Sequence, residues 1–223
     1  MRCHICHKPS NNSPPLCVTC NSTLPYLSNT CYRCALPLPL NTPKTLCAKC
    51  LQQPPFFDQA ISLFHYQESI IQLITTLKFD KDLAIAKLLG CLFSKHLEEI
   101  DITLPDMIIP VPLHKKRVAQ RGFNQALEIA KTIAKKFKIP LSQDHCIRAI
   151  NTPPQIDLPA NKRKQNVRNA FKIKKTINAK NIVIFDDVLT SGSTVNELSR
   201  ILKKSGVEHI SVWCCARTGL KNE

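Results

Sequence analysis

At 223 residues the chain is long enough to bury a sizeable core and to hold one or two domains. Its formal charge is +15 and its pI is near 9.4, a balance that favours nucleic acid or another polyanion as partner. No stretch is long and apolar enough to span a bilayer, and Met1-Arg2-Cys3-His4 begins no signal peptide, so the expectation is a cytoplasmic protein without a membrane span.

In chain order, the first element is a cysteine-rich module over residues 1–55. Its eight cysteines fall in four Cys-x-x-Cys pairs: Cys3/Cys6, Cys17/Cys20, Cys31/Cys34 and Cys47/Cys50. The residues between them are rich in Pro, Asn, Ser and Thr, with few large apolar side chains, so metal must stand in for a core. Two thiolates on one tight turn reach a single tetrahedral ion, and two such turns saturate Zn²⁺ with no open position. The expectation is one or two structural zinc ions. The order of pairs leaves sequential and interleaved pairing both open, and redox chemistry is the rival reading. His4 and His7 read as bystanders.

Gln52-Gln53-Pro54-Pro55 reads as a linker into a larger domain over residues 56–223. Residues 60–66 suit a strand or extended hook. Ile70, Ile71, Ile74 and Leu77 recur at helical spacing, and 84–97 predicts a second helix. Met107 to Val111 reads as a buried strand ending at Pro112. It runs into a cationic cluster, Val111-Pro112-Leu113-His114-Lys115-Lys116-Arg117. Arg121-Gly122-Phe123-Asn124-Gln125 follows, with Asn124 placed to cap an amphipathic helix that carries Lys131, Lys135 and Lys136 on its outer face. A Pro-rich stretch leads to a basic run over 162–175, including Lys162, Arg163, Lys164 and Arg168. Cys91, Cys146, Cys214 and Cys215 are unpaired by spacing and read as small buried residues, and Trp213 reads as core. Alternating strands and helices predict an α/β domain with a parallel sheet.

The most informative segment comes late. Ile182-Val183-Ile184-Phe185 suits a parallel strand buried on both faces, ending where Asp186 and Asp187 begin. Val188 and Leu189 lead into Thr190-Ser191-Gly192-Ser193-Thr194, and Val195, Leu198, Ile201 and Leu202 return at helical spacing. A strand, a small hydroxyl-rich loop and a helix N-terminus make an anion site. Two carboxylates beside it would repel a bare phosphate but suit the hydroxyls of a sugar that carries one. An ordinary strand–turn–helix with acidic and hydroxyl caps is the competing account.

This segment resembles the phosphoribosyl-pyrophosphate (PRPP) motif of type I phosphoribosyltransferases. The resemblance implies that Asp186 and Asp187 hold the ribose hydroxyls and that Thr190 to Thr194 grip the 5′-phosphate. It also makes Val111 to Lys115 the counterpart of a pyrophosphate loop that works with Mg²⁺. The run over 162–175 becomes a closing loop that brings Arg163 or Lys164 to the pyrophosphate. With the paired cysteines, Pro110-Val111-Pro112, residues 121–125 and Asn166 to Phe171, the whole chain resembles the ComF family: a zinc module joined to a type I phosphoribosyltransferase-like domain, its parallel sheet flanked by helices. That family implies natural transformation, with imported single-stranded DNA handled in the cytoplasm beside a competence helicase and DNA-processing proteins. Arg121, Lys131, Lys135, Lys136, Lys162, Arg163, Lys164 and Arg168 are then candidate DNA contacts. Two other readings stay open: a nucleotide-salvage phosphoribosyltransferase, and a non-catalytic DNA-binding module with a regulatory PRPP pocket.

Overall fold

The computed structural model describes residues 1–41, 45–152 and 167–219. Among the described residues six strands are formed: β1 (Gln59–His65), β2 (Met107–Pro110), β3 (Cys146–Arg148), β4 (Phe171–Ile173), β5 (Asn181–Leu189) and β6 (His209–Arg217). Four of them make one sheet in the order β1-β6-β5-β2, every neighbouring pair parallel, while β3 and β4 pair antiparallel on their own. The helices are α1 (Val18–Ser22), α2 (Ala48–Gln52), α3 (Glu68–Phe79), α4 (Leu83–Glu99), α5 (Lys115–Arg121), α6 (Gln125–Phe137) and α7 (Ser193–Lys204). No helix among the described residues is long and apolar enough to cross a membrane.

Two-sided burial explains the apolar run in β5. Val183 and Phe185 join the core formed with α3, α4 and α6, while Ile182 and Ile184 join the core formed with α7 on the opposite face. This period of two is what a pleated strand demands when both faces are covered. Phe93 of α4 organises the first face, its ring centroid 5.7 Å from that of Phe185 and 5.9 Å from that of Trp213.

The cysteine-rich segment contributes to both cores. Leu16, Leu24, Cys3 and Cys20 pack with the α3/α4/α6 face, and Ala35 packs with the α7 face. The chain between the two cysteine groups also runs along β1. Leu27 N donates to Leu63 O at 2.9 Å, and His65 N donates to Pro25 O at 2.8 Å. An edge strand that would expose unpaired backbone groups is thereby covered.

Three expectations need correction. The strand expected to end at Phe185 continues through Asp186 and Asp187 to Leu189, because β6 keeps supplying partners: Asp186↔Cys214, Val188↔Ala216 and Leu189↔Arg217. Gln52, read as linker, closes α2. The basic run over 162–175 is not all loop, since Phe171–Ile173 is β4.

Candidate functional site

The register between β2 and β5 places the site. Pro110 pairs with Phe185, and Val111 N donates to Phe185 O at 2.8 Å. Beyond that bond β2 ends, so β5 carries Asp186 and Asp187 past its neighbour with one side open. This is the carboxyl edge of a parallel sheet, where such folds bind ligands. The stretch from Val111 to Lys115, expected to sit by a pyrophosphate, thereby starts beside the acid pair. Its second half differs from the expected loop: His114 caps α5, accepting from Lys116 N at 3.3 Å, and Lys115 opens that helix.

The two carboxylates occupy different environments. Asp187 is only 3 % exposed. It is ion-paired to Lys78 from the last turn of α3 and accepts from Gln125 Nε2 at 3.0 Å. Burial alone would raise its pKa, but Lys78 and then Gln125 more than offset that and hold it below the usual carboxylate range. Asp186 is pushed well above that range by burial and by the neighbouring Asp187 charge. The two acids are thus pushed in opposite directions, Asp187 toward its charged form and Asp186 toward its neutral one, even though Asp187 N donates to Asp186 Oδ1 at 2.9 Å.

The first turn of α6 supports this arrangement. Asn124 caps the helix through Ala126 N at 3.1 Å and also donates to Val111 O at 3.0 Å, which ties α6 to the end of β2. Arg121 Nη1 donates to Gln125 Oε1 at 2.6 Å, so a chain runs Arg121–Gln125–Asp187–Lys78. Gln125 and Lys78 both contact Asp187, and the sequence reading singled out neither for the acid pair. The local signal for Gln125 was its place at the N-terminus of an amphipathic helix. Lys78 carried none, since its partner lies far along the chain.

Past β5 the chain turns through Thr190, Ser191 and Gly192 into α7, which Ser193 and Thr194 open. Gly192 sits at φ 77°, the left-handed conformation that lets the chain turn sharply into the helix. Ser191 Oγ lies 2.9 Å from Ser193 Oγ, and the first intrahelical bond is Asn196 N to Gly192 O at 2.9 Å. The opening N–H groups of α7 and these hydroxyls thus lie together at its positive end, where Ser193 N donates to Ser191 Oγ at 3.3 Å.

A cationic group forms near the acids. Arg148, 9 % exposed, reaches Thr152 Oγ1, while Arg117 Nη2 donates to Thr152 O at 2.8 Å. His114 has its pKa lowered by burial and by Lys116, Lys115, Arg148 and Arg117. Arg117 belongs to the expected cationic cluster, whereas Arg148 joins the group from β3 without any expectation attached to it. Lys162, Arg163 and Lys164 lie outside the described residues. Arg168 is exposed, as are Lys131, Lys135 and Lys136 on α6, where Lys131 pairs with Glu128 at 2.8 Å and Lys136 with Glu98 at 2.7 Å.

The cysteines converge in two groups, Cys3/Cys6/Cys17/Cys20 and Cys31/Cys34/Cys47/Cys50, with all Sγ atoms in each within 4.8 Å of one another. Pairing is sequential. The Cys6–Cys17 and Cys34–Cys47 Sγ separations are each 3.7 Å. This is far beyond a disulfide and close to the tetrahedral edge of about 3.8 Å that ~2.3 Å Zn–S bonds produce. Burial and the sulfurs of Cys17, Cys6 and Cys3 push Cys20 up to about 12, a crowding of thiols that a dication would relieve. Each group could therefore hold a structural zinc. Cys146, Cys214 and Cys215 are buried, and Cys91 is half-buried.

No family model matches the chain. It is 34 % identical to competence protein F of Haemophilus influenzae over 96 % of this chain and 90 % of that protein. It is 32 % identical to DNA utilization protein YhgH of Salmonella typhi over 97 % and 96 %. Competence protein ComFC of Streptococcus pneumoniae is 23 % identical over 70 % and 67 %. Among solved structures, a purine phosphoribosyltransferase from Pyrococcus horikoshii covers 71 % of this chain and 87 % of its own at 16 % identity, with a TM-score of 0.27, a likeness too loose to carry weight. Identity at this level, sustained across nearly the full length of competence protein F, means that the chain belongs to the ComF family of competence proteins.

Proposed function

We propose that the chain binds PRPP with Mg²⁺ at the open edge of β5, that phosphoribosyl transfer is its chemistry, and that it acts in the cytoplasm on imported single-stranded DNA. The observation that carries the pocket reading is the register that sets Val111 beside an acid pair and a hydroxyl loop on one sheet edge. Ribose hydroxyls donate to Asp186 and Asp187, and the loop from Thr190 to Thr194 takes the 5′-phosphate through N–H groups and hydroxyls. Binding of hydroxyl donors is what draws Asp186 toward its ionised form. Val111 to Lys115, with Arg117 and Arg148, face the pyrophosphate end, and Arg163 is assigned to close over it. In the transfer step the C1′–O bond to pyrophosphate breaks as an acceptor nitrogen bonds to C1′; pyrophosphate leaves with the electron pair, and the proton of that nitrogen passes to the leaving group or to water. Mg²⁺ bound with the substrate would supply further neutralisation of the leaving charge.

The DNA role is supported by the net charge of +15 and by relatives named for competence and DNA utilization. Its candidate contacts are Arg121, Lys131, Lys135, Lys136, Lys162, Arg163, Lys164 and Arg168. A non-catalytic, regulatory pocket is favoured by one observation: Asp187 is already engaged by Lys78 and Gln125. Release of pyrophosphate in the presence of candidate bases separates the two.

Calorimetric titration with PRPP and Mg²⁺ tests the pocket itself. The double variant Asp186→Asn, Asp187→Asn is expected to lose about 1.5–3 kcal/mol for each charged hydrogen bond removed. Equal affinity in wild type and the double variant overturns the ribose assignment.

A further inference from the structure

Arg217, the last residue of β6, is only 6 % exposed and spends its guanidinium on backbone carbonyls of two separate parts of the chain. Its Nε donates to Cys34 O at 3.0 Å, inside the second cysteine group. Its Nη1 donates to Leu189 O at 3.0 Å and Thr218 O at 2.9 Å, and also reaches Thr190 O, where the hydroxyl loop starts. A small cavity between the two is lined by Cys34, Lys49, Cys50, Leu189, Ser191 and Gly192, so the cysteine turn and the loop face each other directly. Among the described residues these carbonyls and the Thr218 hydroxyl, 3.4 Å from Nη1, receive the Arg217 guanidinium, an arrangement that ties the Cys34 turn to the start of the hydroxyl loop.

We propose that Arg217 is a positioning residue that fixes the hydroxyl loop against the second cysteine group, so that metal occupancy of Cys31/Cys34/Cys47/Cys50 sets how tightly the loop binds a phosphate ester. Four ligands on one ion lock the turn that contains Cys34. Its carbonyl then holds one edge of the guanidinium, and the other edge holds Leu189 and Thr190 from behind the loop. Fixing those two carbonyls leaves the following N–H groups turned toward the anion. A lysine keeps the charge but has no planar fork to span both anchors. The coupling rests on the sugar-phosphate reading for its ligand, although the tether itself does not.

The full-length zinc-loaded protein provides the test, with segment-resolved hydrogen exchange over residues 190–194 and calorimetry with ribose 5-phosphate as separate readouts. Zinc removal from wild type is expected to speed exchange in residues 190–194, and zinc re-addition to restore it. Arg217→Lys is expected to show the fast exchange even when loaded. Cys50→Ser, which breaks the second group, is expected to weaken ribose 5-phosphate about tenfold, and Cys20→Ser, which breaks the first, less than about twofold. If Cys50→Ser fails to fold, Arg217→Lys in the zinc-loaded protein still decides the tether, because it leaves both cysteine groups intact. Loop exchange that is indifferent to zinc and to Arg217→Lys overturns the tether. Equal effects of the two cysteine variants on affinity overturn its specificity to the second group. Wild type that binds no ribose 5-phosphate while its loop exchange follows zinc overturns the sugar-phosphate reading and leaves the tether standing.

Discussion

Lys78 decides how the acid pair behaves. Its ammonium meets Asp187 at a point where the Asp187 side chain is 5 % exposed and its own is 22 % exposed. Removing one member of such a pair leaves a nearly buried charge alone, which is far more costly than never having had the pair. Lys78→Met is expected to cost about 3 kcal/mol at neutral pH, measured by urea denaturation, the partial exposure of Lys78 keeping the loss at the low end of that range. The pH dependence has a definite sign. Asp187 is held below its ordinary value, so its contribution is complete above about pH 4 and is lost as pH falls through the depressed value. The gap between wild type and Lys78→Met should accordingly close on acidification. A gap that stays constant down to about pH 3 would show that the loss does not arise from the Asp187 charge.

At the scale of elements, the contact between α4 and α6 carries the site, because the N-terminus of α6 supplies Asn124 and Gln125. Gly90 is what allows that contact: a Cβ there would lie 2.7 Å from Thr132 Cβ and 2.9 Å from Ile129 O. Alanine is worth up to about 1 kcal/mol over glycine in a helix, but overpacking against a backbone oxygen costs about 1–3 kcal/mol. Gly90→Ala is expected to destabilise by about 1–2 kcal/mol in thermal unfolding. A more stable variant would mean that α6 can shift outward freely. Helices α3, α4 and α6 and strand β1 were legible because apolar periodicity extends over most of each. The carboxylates and the hydroxyl loop were legible from order alone. Helix α5 and the β3/β4 pair were not: the first is a short, basic segment without an apolar stripe, and each strand of the second has three residues. Pairing of the cysteine turns was equally hidden, since spacing fits either arrangement and only the gathering of the Sγ atoms in space tells them apart.

Across the whole molecule, metal and core stability are joined. The first cysteine group lies in the same apolar cluster as α3 and α4, and the second abuts the cluster around α7. Metal analysis is expected to find close to two zinc ions per chain, and chelation to lower the melting temperature of the entire chain in one transition; separate melting of the cysteine-rich segment would argue for independent folding. The excess of positive charge acts at this scale too. Neutralising backbone phosphates releases counterions, so affinity for single-stranded DNA should fall along a straight line in log–log form as salt rises. Not every lysine contributes equally. Lys131 and Lys136 already face Glu128 and Glu98, so part of what they offer a phosphate is spent on those partners. Lys135 and Arg168 are exposed. Tyr32, 58 % exposed, offers a ring on which a base can stack, whereas Trp213 at 1 % does not. Replacing Lys135 and Arg168 by Gln should reduce the slope by about 1.4, at ~0.7 per single-strand phosphate contact, in fluorescence anisotropy with an oligothymidine. An unchanged slope in a folded variant would remove these two side chains from the surface and leave the binding to the cations nearer the acid pair.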